Sequence, residues 1–534
     1  MNDSAEQLNS ITDPLYRIIL FILLLIFSIF LGFFVATDQL ATLASDSIHY
    51  LTLAAGFSPW ESINENLQAH LANQDYPPLF PLLLGLSGAN QTLAGAHLFS
   101  AAFLIPAFVC FFAFVARQNG QRLAALFLTV CLMLLPGTWE NAMGILSENL
   151  YLFLTLWVLY LTIDNSPTTG RQVLLGMLLA LVILTRSIGF TLLLAYLVKF
   201  CCCKDWQNHW KRQLLIPLAC CVCLLLIVRL SMPATTPAQY LDNLRSFWNK
   251  DLAILAYLVN QCEAFFSAWQ TALLRYWTDT QPLPFSIGAL SFLLAAIGVL
   301  LELRKRAIHA WYTFFYCLII VLWPYPGQMY RFLFPIVPLL LFHALIACQF
   351  LGHALRRQHR WFPKLSIAWT VLLVFTVFPS IFFTLGRYQQ GLEEGLAGYF
   401  DYYHEANLKK ARGKAAEQEK IFEDISALKN RNGDNTTIFY FLPEAISYFS
   451  HLPSMILADD LSTRQYKQLL QTYPASLVYL TRLHPRKASD RYSGLAVFSR
   501  LQSLTEVRSL SHNPRTGQAV SMLLRPNSVF TETD

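Results

Sequence analysis

The chain is poor in charged residues. Of its 534 residues only 13% are Asp, Glu, Lys or Arg, whereas 55% are hydrophobic and 14% are aromatic. Soluble globular domains carry roughly 25% charged residues, so this composition excludes an ordinary soluble protein and favours a membrane protein with many passes. The formal net charge of +6 is spread over loops, so we expect no nucleic-acid partner.

The sequence also lacks the usual signatures of metal and nucleotide sites. Its 11 cysteines form no paired Cys-x-x-Cys pattern, and the groups at 201–203 and 220–223 lie at or inside apolar runs, as small hydrophobic residues do. No Walker A, Gly-x-Gly-x-x-Gly or His-Glu-x-x-His motif stands in a suitable context. No cytoplasmic loop carries an Asp-x-Asp for a nucleotide sugar. The sequence therefore requires no cofactor, and it leaves a divalent metal open without a ligand pattern to support one.

Long apolar runs dominate what is present, and about 20 such residues suffice for one membrane pass. Because Lys and Arg concentrate in cytoplasmic loops, the basic cluster at 304–306 favours a cytoplasmic N-terminus, and the loop 38–92, which has no Lys or Arg, favours the outside. This parity requires two passes within 172–200, bent near Arg186 at the outer face. We expect a polytopic α-helical protein of about 11 passes in the bacterial inner membrane, with runs near 15–36, 93–116, 122–136, 144–163, 172–185, 188–200, 213–231, 283–303, 308–323, 331–352 and 364–386.

The character of the chain changes after residue 386. Residues 393–434 are charged with a helical pattern, and a helical stretch near 461–472 alternates with short strand-like runs. We predict a transmembrane catalytic domain over 1–386 and an extracytoplasmic α/β accessory domain over 387–534. The aromatic outer segment 232–282 predicts interfacial helices, most of whose rings form a membrane-surface belt. The predicted strands are 436–442, 476–481, 495–500 and 519–524.

A short polar segment, residues 45–50, follows the first apolar run. Asp46, His49 and Tyr50 are spaced i, i+3 and i+4, so on a helix they share one face. A carboxylate at the water–lipid boundary with polar neighbours is a candidate general base. The alternative is a solvated helix cap in an outer loop.

Three further ionisable residues stand at predicted outer boundaries of the membrane. They are Glu148, Arg186 and Arg331. An ionisable residue near hydrocarbon is costly, so by default it has a partner or a function. Snorkelling or a structural ion pair is the alternative for each one alone, but both signs of charge on one side of the membrane favour a site.

Five segments in this order resemble the GT-C membrane glycosyltransferases, the group that includes the protein O-mannosyltransferases and the lipid A aminoarabinose transferase. The resemblance covers about 15–386, and it implies a polyprenyl-phosphate-linked sugar donor, transfer on the outer face and a catalytic aspartate that Asp46 matches. Many relatives carry a second acidic residue beside that aspartate, whereas Ser47 stands here, so no metal or acceptor role is transferred to it. The segments are SDSIHYLTLA (45–54), YPPLFPLLL (76–84), SENLYLFL (147–154), LTRSIGFTLLLA (184–195) and YRFLFPIVPLLL (330–341).

The predicted reaction is an inverting transfer to an extracytoplasmic hydroxyl of a glycan, lipid or protein, within a shell of membrane lipids. Asp46 is the expected base, and Arg331 and then Arg186 are expected to bind the donor phosphate. A lipid-linked oligosaccharide ligase or polymerase and a transporter are the alternatives, although a transporter predicts repeated halves that the sequence does not show. Residues expected to line the sugar pocket are His49, Tyr50, Tyr76 and Glu148.

Overall fold

The structure is a computed structural model that divides into two compact units. The helical unit comprises residues 1–36, 75–80 and 97–386, and the α/β unit comprises residues 37–74, 81–96 and 387–534. The α/β unit therefore includes most of the stretch between the first two apolar runs as well as the chain from Arg387 onward. The structure describes residues 14–41, 46–60, 62–71, 76–163, 168–202, 210–231, 254–274, 282–323, 326–355, 365–405, 407–433, 436–458, 461–481 and 494–527.

The described chain is mostly helical. The helices are α1 (Pro14–Val35), α2 (Ser47–Phe57), α3 (Glu65–Gln68), α4 (Leu79–Leu86), α5 (Leu93–Ala102), α6 (Leu104–Asn119), α7 (Arg122–Leu134), α8 (Pro136–Met143), α9 (Glu148–Leu161), α10 (Thr169–Thr185), α11 (Phe190–Cys202), α12 (Trp210–Ser231), α13 (Ile254–Leu274), α14 (Pro282–Arg304), α15 (Ile308–Val321), α16 (Met329–Leu333), α17 (Val337–Leu355), α18 (Leu365–Glu394), α19 (Phe400–His404), α20 (Leu408–Asn432), α21 (Pro443–Ser450), α22 (Thr463–Thr472) and α23 (Gly494–Leu501). The strands are β1 (Ile438–Tyr440), β2 (Ser454–Ile456), β3 (Leu477–Thr481), β4 (Thr505–His512) and β5 (Ala519–Pro526).

Within the described residues, six helices are long and apolar enough to cross a membrane, or seven if the pair α7 and α8, bent by 51°, forms one span. Shorter apolar helices account for four more of the predicted runs. Each of the eleven runs thus contains an apolar helix, and the exact number of passes stays a prediction. The six helices long enough to cross a membrane are Leu15–Val35, Leu93–Asn119, Gln213–Leu230, Phe285–Arg304, Met329–Leu355 and Leu365–Glu394.

The predicted break at Arg186 is present. Helix α10 ends at Thr185, Arg186 is extended with φ −151° and ψ 135°, and one 3-10 turn, Ser187–Gly189, leads into α11. Helix α10 packs along α12, whereas α11 packs along α15. The two short apolar runs are therefore two separate helices.

Close helix contacts in the helical unit depend on small residues. A Cβ added to Gly298 of α14 would stand 1.8 Å from the carbonyl oxygen of His343 in α17. Without that side chain the two backbones approach closely, as is common between membrane helices.

Two rings of the segment 232–282 are exceptions to the predicted aromatic belt. Residues 232–253 and 275–281 lie outside the described residues, whereas α13 is among the residues that the structure describes. Trp269 of α13 is fully buried, and its indole donates to the carbonyl of Gly288 at 3.0 Å. Phe265 is also buried and contacts the ring of Phe292. A buried aromatic ring with its polar group satisfied contributes to helix packing rather than to the membrane surface.

The α/β unit contains a five-stranded sheet in the order β2-β1-β3-β5-β4. Strands β2, β1 and β3 are parallel, and β5 is antiparallel to both β3 and β4. Its core joins apolar side chains of β1, β3 and β5 to one face of α22 and of α23, including Phe439, Val478, Leu524, Tyr466 and Leu501.

Three of the four predicted strands and the helix near 461–472 are present. The strand predicted over 495–500 is wrong, because this segment forms α23. Val497 and Leu501 are both buried in the core, and their spacing of four residues places them on one helical face. Strands β2 and β4 were not predicted. Both lie at sheet edges, and their side chains are mostly exposed.

Candidate active site

Glu148 lies at the centre of a charged cluster in the helical unit. Its side chain is fully buried, and one carboxylate oxygen, Oε1, lies 2.6 Å from Nη1 of Arg186. The same oxygen accepts a hydrogen bond from Nε of Arg331. The two arginine side chains are 14% and 23% exposed, respectively. The structure thus brings together three residues that the sequence singled out separately.

Helix ends position these three side chains. Glu148 is the first residue of α9, where the positive end of the helix dipole favours a carboxylate. Arg186 lies at the break between α10 and α11. Arg331 lies in the short helix α16. A 3-10 turn, Phe334–Ile336, connects this helix to α17.

The aromatic ring of Phe332 adds a second shared contact. The guanidinium carbon of Arg186 lies 5.5 Å from the ring centroid, and that of Arg331 lies 6.0 Å from it. Cations near an aromatic face are attracted by the ring quadrupole. The hydroxyl of Tyr316 donates to the carbonyl of Phe332 at 2.9 Å, which fixes the backbone beside Arg331. A carboxylate, a ring and a tyrosine hydroxyl therefore restrict the orientation of the two guanidiniums.

The charges of this cluster suit an anionic ligand. Two guanidiniums and one carboxylate together carry a formal charge of +1. Burial of ions away from water costs several kcal/mol each, so a buried cluster of this kind is expected to have a function or to specify packing. Guanidiniums bind phosphate oxygens through paired hydrogen bonds. The arrangement can hold a phosphate in a low-dielectric setting.

Asp46 belongs to the α/β unit. It is the residue immediately before α2, its carbonyl accepts the backbone N–H of Tyr50 at 3.0 Å, and its side chain makes no capping hydrogen bond. Asp46 as a whole residue is partly exposed. The helix-cap alternative therefore accounts for the position of Asp46 in the chain but not for its carboxylate.

The two neighbours of Asp46 on α2 differ in surroundings. His49 is partly exposed, and its Nδ1 lies 4.0 Å from the carboxylate of Glu444 in α21. Tyr50 is buried. Tyr76 is partly exposed and lies in a bend before α4, within the helical unit. The predicted site residues are thus divided between the two units.

Sequence reasoning missed several residues around these groups. Glu148 was singled out in the sequence, but its pairing with two arginines was not, and its expected place in a sugar pocket stays a prediction. Phe332 directly follows Arg331, but a phenylalanine in an apolar run carries no signal of its own. Glu444 lies almost 400 positions after His49, and nothing local in the sequence links them. Among the residues that the structure describes, no three His, Cys, Asp or Glu side chains are grouped as a metal site.

Comparisons with known proteins agree with this architecture. Residues 252–422 match the model of the Alg9-like mannosyltransferase family. A comparison with curated protein sequences found no significant match. ArnT from Cupriavidus metallidurans, solved bound to undecaprenyl phosphate, is 14% identical with a TM-score of 0.52, over 94% of this chain and 97% of ArnT.

The apo oligosaccharyltransferase of Archaeoglobus fulgidus is 9% identical with a TM-score of 0.54, over 98% of this chain and 78% of that protein. At such identities the likeness to these solved structures shows the fold alone. The predicted resemblance is confirmed as a resemblance, by the family model over 252–422 and by the fold shared with these two glycosyl-transferring membrane proteins. The chain has the fold of a mostly helical membrane protein with a small C-terminal sheet.

Proposed function

We propose that this chain is an inverting glycosyltransferase that moves a sugar from a polyprenyl-phosphate donor to a hydroxyl group of a glycan, lipid or protein. The reaction takes place on the outer face of a bacterial inner membrane, with the N-terminus in the cytoplasm. A sugar already joined to a lipid phosphate carries its own leaving group, so the reaction needs neither nucleotide nor ATP on that face.

Each step assigns a role to a residue. Asp46 accepts the proton of the acceptor hydroxyl while that oxygen bonds to the anomeric carbon of the sugar. The bond from the anomeric carbon to the phosphate oxygen breaks, and the lipid phosphate leaves with one more negative charge. Arg331 and Arg186 stabilise that charge. A single displacement of this kind inverts the anomeric configuration. His49 and Tyr76, both partly exposed, are the proposed hydrogen-bonding groups for the sugar.

The observation that carries the proposal is the cluster of Glu148, Arg186 and Arg331. Its net positive charge and its partial burial match a lipid phosphate better than they match a neutral sugar or a cation. Glu148 is fully buried and bonded to both arginines, so we assign it the role of orienting them. A protein of the same fold has been solved with undecaprenyl phosphate, which supports this class of donor.

Binding of undecaprenyl phosphate to the purified full chain in detergent tests the donor site. We expect Arg331→Gln and Arg186→Gln each to weaken binding by about tenfold or more, because a hydrogen bond to a charged group contributes about 1.5–3 kcal/mol. Arg304→Gln, at an exposed position at the end of α14, is the matched control and should bind as the natural protein does. Unchanged affinity in both site variants would reject the phosphate role.

A lipid-linked oligosaccharide ligase is the second candidate, because the fold is also that of an oligosaccharyltransferase. Such an enzyme transfers a preassembled glycan rather than one sugar. The mass of the lipid that accumulates when the protein is absent distinguishes the two candidates.

A further inference from the structure

We infer that the chain after Arg387 fixes the position of Asp46 for catalysis, through polar contacts with residues that precede and follow Asp46 in the sequence. Gln39 and His70 are thus positioning residues for the transfer. This inference rests on the proposed function, because it acts through Asp46 as the base. It gives the C-terminal part of the chain a role in catalysis in place of the accessory role that the sequence predicts. All the residues concerned belong to the α/β unit.

The first set of contacts lies before Asp46. The amide of Gln39 donates from Nε2 to the carbonyl of Gly395 at 2.9 Å, and its Oε1 accepts the backbone N–H of Gly398 at 3.0 Å. The backbone N–H of Phe400 donates to the carbonyl of Ala41 at 2.8 Å. A Cβ at Gly398 would stand 2.5 Å from Oε1 of Gln39, so only glycine permits this contact. Residues 39–41 are thus bonded to a chain segment more than 350 positions away.

The second set lies after Asp46. Nε2 of His70 lies 3.0 Å from the hydroxyl oxygen of Ser454 and 3.3 Å from that of Ser447. These two hydroxyls are 2.7 Å apart, and they also donate to the carbonyls of Leu452 and Pro443. This network is largely buried, and a buried network in which each member has a partner rigidifies the chain.

Helix packing continues between these two sets of contacts. Helix α21 packs against both α2 and α3. Its Glu444 faces His49, one turn after Asp46, and Asn66 donates from Nδ2 to the carbonyl of His451 at 2.9 Å. The helix that begins directly after Asp46 therefore rests on an element of the C-terminal chain.

The physical consequence concerns the position of the base. A general base must lie within hydrogen-bond reach of the proton that it accepts, and a displacement of about 1 Å can cost about 100-fold in rate. The described residues on both sides of Asp46 are bonded to the C-terminal chain, so the entropy of ordering them is lost on folding and not in each catalytic cycle.

The test compares single-turnover transfer and hydrogen exchange in the full chain. The variant is Gln39→Ala with His70→Ala, and membranes of a strain that lacks the protein supply both the sugar donor and the acceptor. A matched control is Gln468→Ala with His512→Ala, at exposed positions of the same unit. Single-turnover rate constants at saturating enzyme are used because they do not depend on the fraction of the protein that is folded.

We expect the variant to slow transfer by about 10- to 100-fold and to speed exchange of the amides in 46–57 but not in β1 and β3. In the Gln39→Ala background, His70→Gln in place of His70→Ala should restore the rate to that of Gln39→Ala alone, because a glutamine amide can replace Nε2 in hydrogen bonding. If β1 and β3 also exchange faster, Gly398→Ala replaces the double variant, since it displaces Gln39 and leaves the hydrogen-bonding groups of 39–70 intact.

A rate constant within about twofold of the natural protein would overturn the inference. If the 46–57 amides exchange faster, a misplaced base should have slowed the chemical step, and if they exchange as in the natural protein, the contacts of Gln39 and His70 do not hold these residues. The failure of the proposed function has a different signature. In that case Asp46→Asn itself transfers at the natural rate, whatever the contacts of Gln39 and His70 do.

Discussion

Glu148 is the single side chain on which the proposed donor site depends most. Its carboxylate binds guanidiniums from two distant parts of the helical unit, which would otherwise repel one another. Removing one partner of a buried ion pair leaves an uncompensated charge and typically costs about 3–5 kcal/mol. We therefore expect Glu148→Gln to lower the melting temperature of the full chain and to weaken undecaprenyl phosphate binding.

Glu263→Gln is the matched control for this change, because Glu263 is exposed on α13 in the same unit. It should leave both quantities unchanged. If Glu148→Gln melts and binds as the natural protein does, the carboxylate does not orient the arginines.

His70 provides a pH-dependent prediction in the α/β unit. Burial lowers the pKa of His70 below its usual value of 6.5, and the charge of Glu444 only partly opposes this. Below pH 6.5 the unfolded chain therefore binds a proton that the folded chain resists. The free energy of unfolding of this unit should fall as the pH drops from about 6.5 through the lowered pKa, and it should gain nothing from His70 above that range.

Thermal unfolding of the natural protein and of His70→Gln at pH 7.5 and 5.5 measures this contribution. The natural protein should lose more stability on acidification than His70→Gln does, whereas His512→Gln, at an exposed position on β4, should behave as the natural protein. Equal losses in the natural protein and in His70→Gln would contradict the assignment.

The sequence identified the charged residues of the candidate site but not their partners. Glu148, Arg186 and Arg331 stand out because ionisable groups are rare in apolar surroundings. Their pairing spans up to 183 positions, and no local pattern encodes it. Phe332 carried no signal, because nothing in the sequence distinguishes a ring beneath two cations from a ring that faces lipid.

A helix pair requires a small residue where its two backbones approach closely, and α14 with α17 is the clearest example. A Cβ at Gly298 would stand 1.8 Å from the backbone oxygen of His343, and backbone cannot move aside as a flexible side chain can. Gly298→Ala should therefore force the two helices apart and cost about 1–3 kcal/mol. The melting temperature of the full chain in detergent measures this cost.

The matched substitution is Gly32→Ala in α1, where no described atom lies within 4 Å of the added Cβ. Alanine favours helix over glycine by up to about 1 kcal/mol, so this variant should melt at the natural temperature or above. If Gly298→Ala melts at the same temperature as Gly32→Ala, then α14 and α17 do not require the close approach.

Helices and strands could be predicted from the sequence where burial produces a periodic pattern of apolar residues. The long apolar runs indicated membrane helices because their side chains face lipid or other helices on all sides. Segment 495–500 is short, and its apolar residues fit either period, so only its packing on the sheet decides for α23. The edge strands β2 and β4 bury little, which removes the alternation that marks a strand.

The organisation of the complete chain was the part that the sequence could not show. Residues 37–74 and 81–96 belong with the C-terminal chain in one compact unit, although the sequence predicts the second domain to begin at 387. This association depends on individual hydrogen bonds, such as those of Gln39 and His70, between positions hundreds of residues apart. Such contacts have no periodicity, and composition does not reveal them.

Asp46→Asn addresses the activity of the complete chain. The amide keeps the size of the side chain but cannot accept the acceptor's proton as a carboxylate does. We expect this variant to fold and to lose transfer. Asp38→Asn is the matched control, because Asp38 is an exposed carboxylate of the same unit, and it should transfer normally.

The most direct measurement is mass spectrometry of the polyprenyl lipids extracted from a deletion strain that expresses the natural protein, Asp46→Asn or Asp38→Asn. We predict that a lipid phosphate bearing one sugar accumulates in the deletion strain and with Asp46→Asn, and disappears with the natural protein and with Asp38→Asn. Its mass would identify the class of sugar. If the lipid profiles are the same for Asp46→Asn and for the natural protein, Asp46 is not the base of the transfer.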